Sequence, residues 1–332
     1  MKKKTKNFGY FFITIILFFF INFLLFSFSY ISLINNQVYN WFWIENIQKT
    51  LYFKGGLRNI WQANHECIEF DEDLLYVPKD GVCKFENAEF KTELTFKDGI
   101  RNNANNLNNF LDESAIAVIG DSFSMGWGVN DNETYSSVLE RLLKKKVYNL
   151  GVSSYGTIRE IKKIKKSEVY QKIDTIIIQY DPNDYIENTQ HNFKKKYIYQ
   201  EYEILAPQQQ QSKDKIFFFL KYSKKSFRIL YHEIVKFFYP DKYVDKIDLS
   251  KHFEIVKKII FKNLDYKNKK IIILFPENLN MTFYNLPKSS DYLHLINLNM
   301  KSKKSNFYII DDHWTAKGHE YVAQSLFEFF VK

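Results

Sequence analysis

Ser122 stands in Gly120-Asp121-Ser122-Phe123, where the apolar run Ala115-Ile116-Ala117-Val118-Ile119 stops. Near the other end of the chain, Asp311-Asp312-His313-Trp314 follows a second apolar run, Phe307-Tyr308-Ile309-Ile310. A serine hydroxyl is a weak nucleophile alone. It needs a base to take its proton, an acid to orient that base, and donors aimed at the developing oxyanion. Ser122 is the candidate nucleophile and His313 the candidate base. Asp311 is the candidate for holding the imidazole in the useful tautomer, with Asp312 as its rival. A Ser–His pair without a strong third member is the simpler alternative. The Gly120-x-Ser122-x-Ser124 spacing is not the Gly-x-Ser-x-Gly elbow of α/β-hydrolases.

These residues need elements to bring them together. From residue 115 onward the chain alternates strand and helix patterns. Strands are predicted at 115–119, 147–150, 174–180, 270–275 and 307–311, and helices at 133–145, 156–170, 249–264 and 315–330. Such alternation implies βαβ units and an α/β architecture, a mostly parallel sheet with helices on both faces. Ile176-Ile177-Ile178 and Ile271-Ile272-Ile273-Leu274 are continuous apolar runs, as strands buried on both sides require. In such sheets the site lies beyond the carboxyl ends of the strands. Ser122, Gly151, Asn183 and His313 each follow a predicted strand, which places them at one shared site. Residues 187–248 interrupt the alternation with Gln208 to Gln211 and an aromatic stretch. This insertion is either a cap over the site or a peripheral excursion.

Four separate blocks resemble those of the SGNH/GDSL hydrolase superfamily, in the same order and each at a predicted strand end. Gly120-Asp121-Ser122-Phe123 is similar to the block that carries the nucleophile. Asn149-Leu150-Gly151 resembles the second block, Pro182-Asn183-Asp184 the third, and Asp311-Asp312-His313-Trp314 the last. The resemblance covers about residues 112–330. It implies a flavodoxin-like three-layer α/β/α sandwich and a serine ester hydrolase or acyltransferase. It also implies an oxyanion hole made by the N–H groups of Ser122 and Gly151 and the side-chain amide of Asn183. Two departures are visible. Asp181 stands where the third block commonly has glycine, and Ile310 stands where many members have the acid of Asp-x-x-His. The Asp-x-His-Trp form resembles a subset that includes bacterial exopolysaccharide O-acetyltransferases, and this favours Asp311 over Asp312. Trp127, Tyr155 and Trp314 are candidate walls for the substrate, with ordinary packing as the alternative. His319 reads as structural, and no other histidine falls in a block.

The rest of the chain bounds where such chemistry would act. The 332 residues are 45% hydrophobic, enough for one sizeable catalytic domain plus extras. The net charge of +9 is spread along the chain. No basic element with a nucleic-acid fold signature is evident, so no nucleic-acid partner is expected. No His/Cys/carboxylate cluster has metal-ligand spacing and no glycine-rich phosphate cradle appears, so no metal or cofactor is expected. Lys2, Lys3, Lys4 and Lys6 precede an apolar stretch over 8–34, long enough to span a bilayer and lacking a signal-peptidase site. An uncleaved anchor is expected, with the lysines in the cytoplasm and the rest outside the inner membrane of a bacterium. Cys67 and Cys83 are the only cysteines, and an oxidising compartment permits a disulfide between them. The expected division is a tip and anchor at 1–36, a juxtamembrane and β-rich lead-in at 37–111, and the hydrolase-like domain at 112–332. The expected substrate is an acyl ester on a cell-surface or secreted glycan. A glycan-binding module without catalysis and a lipid acylhydrolase are the alternatives.

Overall fold

A computed structural model of the chain describes residues 2–54, 56–104, 114–190, 235, 249–275, 292–298, 300 and 303–332. From 191 onward the insertion expected at 187–248 lies outside them, residue 235 apart. The elements in chain order begin with α1 (Lys2–Ile34) and α2 (Phe42–Lys54). Five short strands follow: β1 (Ile68–Asp71), β2 (Leu75–Pro78), β3 (Gly81–Asn87), β4 (Phe90–Lys97) and β5 (Ile100–Arg101). Then come β6 (Ala115–Ile119), α3 (Ser122–Met125), α4 (Tyr135–Leu143), β7 (Val147–Asn149), α5 (Thr157–Lys166), β8 (Ile173–Gln179) and α6 (Asp184–Gln190). The described chain ends with α7 (Leu249–Asn263), β9 (Lys270–Phe275), β10 (Leu293–Asn297) and α8 (Ala316–Val331).

One eight-stranded sheet runs β10-β9-β8-β6-β7-β5-β4-β3. The pairs from β10 to β7 are all parallel. Their order is that of a doubly wound sheet, and the connections reverse direction between β6 and β8. Period-2 alternation sorts the side chains of these strands. Ala117, Ile119, Ile176, Ile178, Ile271 and Ile273 pack beneath α5 and α7. Ile116, Val118, Ile177, Ile272 and Leu274 pack beneath α4 and α8 on the other face. The result is the expected α/β/α sandwich. Continuous isoleucine runs are needed because both faces are covered.

Two strand expectations are corrected. Residues 307–311 form no strand: Phe307 makes an isolated bridge to Trp314, and the following residues turn. That run is apolar because its residues serve different cores, with Ile310 packing near α1 and Phe307 against the α8 layer. The fifth parallel strand is β10, which among the described residues pairs with β9 alone at the sheet edge. Its residues are mostly half-buried and include His294 and Asn297, so it lacks the apolar signature of a central strand. Within the expected β-rich lead-in, β3, β4 and β5 continue the main sheet in antiparallel fashion. Cys67 and Cys83 are joined in a disulfide.

Over Phe12–Ile34, α1 has a mean hydropathy of 2.4 and is long and apolar enough to cross a membrane. Phe12, Ile16, Phe20 and Leu24 are exposed, whereas Asn22, Phe26, Ser29 and Leu33 are buried. That buried face, at i, i+4, i+7 and i+11, is a helical stripe. Its C-terminal end meets α2, where Gln48 Nε2 donates to Ser32 Oγ at 2.7 Å. Phe26 and Leu33 share an apolar cluster with Ile47, Leu51, Tyr52 and Ile310.

Candidate active site

The chain leaves β6 through Gly120, whose φ of +152° is in a region side chains rarely adopt. A Cβ there would lie 2.3 Å from Ser124 Oγ. Asp121 then caps α3, its Oδ1 accepting from the Phe123 N–H at 2.9 Å. Ser122 is the first residue of α3, so its own N–H has no partner within the helix. Asp121 is buried, and burial together with the charge of Asp181 pushes its carboxyl up to about 7. Asn183 reaches the same group from the end of β8, its Nδ2 lying 3.4 Å from Asp121 Oδ2. Ser122 and Asn183 thus flank the point where the sheet reverses, where a doubly wound fold opens a crevice.

Ser122 Oγ lies 2.7 Å from His313 Nε2. His313 Nδ1 makes a short hydrogen bond to Asp311 Oδ1. A carboxylate can only accept, so Nδ1 carries the proton and Nε2 is free to accept from Ser122. Asp312 has a φ of 64° and an exposed side chain, and it pairs with Lys49 at 2.9 Å. Of the two rival acids, Asp311 is therefore the one that meets the imidazole. Burial favours protonation of Asp311, but His313, Arg58 and the Tyr52 hydroxyl outweigh it and hold the carboxyl down to about 2. The loop bearing it is fastened by Glu89, at the β3–β4 turn. Its carboxylate accepts from the N–H groups of Ile309, Ile310 and Asp311 at 2.6, 2.8 and 2.8 Å.

A cavity of about 290 Å³ opens over Ser122 and His313. Asn183, Trp127, Arg58 and Ser154 are among its lining residues. Gly151 is not: it is buried, and its N–H is spent on Asn149 Oδ1 at 3.1 Å. A Cβ on Gly151 would lie 2.4 Å from Met125 N, so the glycine is there for close packing. The chain reaches the cavity two residues later, at Ser153 and Ser154. Ser154 is exposed with a φ of 62°, and its carbonyl and hydroxyl are held by Arg159 and Gln62. At the cavity wall the segment after β7 is thus represented by Ser153 and Ser154 and not by the expected donor Gly151. Of the three expected walls only Trp127 lines the cavity. Tyr155 is buried and donates its hydroxyl to the Tyr76 carbonyl. Trp314 is buried between the rings of Phe123 and Tyr135. Both large rings are drawn into cores that the local sequence does not reveal. His319 is buried with Nδ1 accepting from the Tyr135 N–H at 3.2 Å, and burial pushes it down to about 3.

Sequence reasoning missed Tyr52, Arg58, Glu89 and Ser154. The first two lie in an aromatic stretch that reads as membrane-interface material, and Glu89 is one acid among many. Ser154 has no local signal, because a positive φ is announced by glycine and this residue is not one.

No family model matches this chain, and no curated protein matches it. Among solved structures, it is similar to a protein assigned to the lipolytic G-D-S-L family from Desulfitobacterium hafniense DCB-2, at 11% identity and a TM-score of 0.38 over 65% of this chain and 98% of that one. An acetylxylan esterase from Geobacillus stearothermophilus is similar at 15% identity and a TM-score of 0.26, over 66% and 95% of the two chains. A protein from Streptococcus pneumonia assigned as a platelet activating factor is similar at 13% identity and a TM-score of 0.34, over 67% and 86%. These values are too low to carry a family or an activity over to this chain.

Proposed function

We propose that this chain is a serine ester hydrolase of the SGNH kind, held at a membrane by α1 and acting on acyl esters of surface or secreted glycans. The observation that carries the reading is the continuous relay from Ser122 Oγ through His313 to the buried Asp311 carboxylate. A binding module needs no such relay.

In the proposed reaction Ser122 Oγ attacks the ester carbonyl carbon while its proton passes to His313 Nε2. Asp311 stays ionised and stabilises the imidazolium. Negative charge gathers on the former carbonyl oxygen, for which the Ser122 N–H, the Ser154 N–H and the Asn183 amide are the donors proposed from among the residues that line the cavity. The tetrahedral intermediate collapses, the alcohol leaves with the proton from His313, and an acyl-Ser122 ester remains. Water releases the acyl group in hydrolysis. A sugar hydroxyl releases it in O-acyl transfer, the finer form of the same reading. The glycan assignment is supported by a cavity that mixes aromatic walls (Phe53, Trp61, Trp127) with polar groups (Arg58, Gln62, Asn183), and by an outward-facing domain if Lys2 to Lys6 stay in the cytoplasm.

The test is labelling with a fluorophosphonate serine probe. The full chain in detergent should label. Ser122→Ala and His313→Ala should not, while remaining folded by circular dichroism. A folded parent that fails to label would sink the proposal. Acetylated oligosaccharides, with and without an acceptor sugar, then separate hydrolysis from transfer.

A further inference from the structure

The imidazole occupies one oxygen of Asp311. The other, Oδ2, is met by the Trp127 Nε1–H at 3.4 Å and by two residues that precede the sheet. The Tyr52 hydroxyl, at the end of α2, makes a short hydrogen bond to it. Arg58 Nε lies 3.3 Å from it. The Arg58 guanidinium is held over the rings of Phe53 at 5.1 Å and of Tyr52 and Trp127 at 5.9 Å each. Phe53, Arg58 and Gln62 also form part of the cavity wall. The platform beneath these residues is α2, which packs on the C-terminal end of α1 together with Ile310, the residue before Asp311. Lys49 of α2 reaches the same loop at Asp312.

We propose that Tyr52 and Arg58 are positioning residues for Asp311, so that the serine site is built jointly by the sheet and by the segment beside the anchor. The inference rests on the reading of Ser122, His313 and Asp311 as a triad. A carboxylate facing an imidazole with only one oxygen engaged can swing away from it. The Tyr52 hydroxyl and the Trp127 indole N–H as donors, with the Arg58 charge beside them, fix the plane of the group and keep Oδ1 aimed at Nδ1. They also share its negative charge. Burial and the Asp311 charge raise the Tyr52 hydroxyl, so it remains a donor.

The charge gives a readout that a merely structural role would not. The groups around the Asp311–His313 pair are Arg58 and Tyr52 on one side and Asp121 behind Ser122. Glu89 lies beneath the loop, and Lys49 and Asp312 outside it. Removing the Arg58 cation leaves the acidic groups unopposed and favours the protonated imidazole, which cannot act as base. The acid limb of the kcat/KM profile then moves to higher pH. Losing the Tyr52 donor acts in the same direction.

The experiment uses the full chain in detergent, with p-nitrophenyl acetate as substrate and Ser122→Ala as the blank. Tyr52→Phe and Arg58→Gln are expected to lower kcat roughly tenfold with KM little changed. Each should shift the acid limb upward by roughly half to one pH unit. Arg58→Lys keeps the charge and should return the limb to the parent's position. If Tyr52→Phe fails to fold, the Arg58 pair decides. An unmoved limb in Arg58→Gln, whether activity is kept or uniformly reduced, overturns the proposal while leaving the triad intact. A parent that neither hydrolyses the ester nor labels with fluorophosphonate overturns the triad reading, and this inference with it.

Discussion

At Ser154 a residue with a Cβ holds a φ of 62°, and the fold keeps it there through Gln62 and Arg159. Ser154→Gly removes the left-handed penalty and leaves the backbone N–H in place, so labelling and kcat should stay within about threefold of the parent. Ser154→Val should destabilise by about 1–2 kcal/mol in thermal or urea unfolding, because a β-branched residue resists this conformation. Gly151→Ala should be worse than either for stability, since its Cβ would press on the backbone of Met125 and Ser124. Should Gly151→Ala fold normally yet lose only activity, Gly151 would regain the donor role. Asn183→Ala should lower kcat by about 10²–10³ with little change in KM, as the loss of one oxyanion donor does. Ser122, His313, Asp311 and Asn183 were legible from their types and positions. Ser154 was not, because backbone conformation at a non-glycine residue is imposed by its surroundings.

At the scale of elements, the hairpin β3–β4 has two tasks. It extends the sheet and presents Glu89 to the loop that carries Asp311. Glu89→Ala leaves three N–H groups without their acceptor and should destabilise by about 1–3 kcal/mol. Its kcat should fall more than its KM changes, and Glu89→Gln, which retains an acceptor oxygen, should recover much of both. The disulfide ties Cys67, just before β1, to Cys83 within β3, across a separation of 16 residues. Its loss in Cys67→Ser with Cys83→Ser should cost about 3 kcal/mol, read as a lower urea midpoint. Helices α4, α5, α7 and α8 were expected nearly where they stand, because amphipathic periodicity is a local property. Strand β10 was not, because an edge strand beside one neighbour needs no continuous apolar run.

At the scale of the molecule, buried ionisable groups set the pH dependence of stability. Burial and neighbouring carboxylates raise Asp121, Asp184 and Glu160, and neither Glu160 oxygen has a hydrogen-bond partner. The folded state therefore binds more protons than the unfolded one above the ordinary carboxylate range, and its stability falls as pH rises. His319, held down to about 3, acts in the opposite direction, but only below its ordinary value of 6.5. Between pH 6.5 and 8 the carboxylates pull the melting temperature down as pH rises, opposed by Lys163, which burial pushes down to about 7 and which adds stability as pH rises through that value. Glu160→Gln should weaken the carboxylate pull and raise the melting temperature at pH 8. A steeper fall with pH in the variant than in the parent would contradict this account. Periodicity and block order were sufficient to read the α/β/α layers, the serine relay and a long apolar N-terminal helix, since each is written in runs of neighbouring residues. Only the tertiary structure decided that Asp311 and not Asp312 meets the imidazole, that Ser153 and Ser154 and not Gly151 line the cavity, and that Tyr52 and Arg58 reach Asp311. Each of these depends on where a side chain or an N–H points after distant segments have packed, and no local pattern encodes that direction.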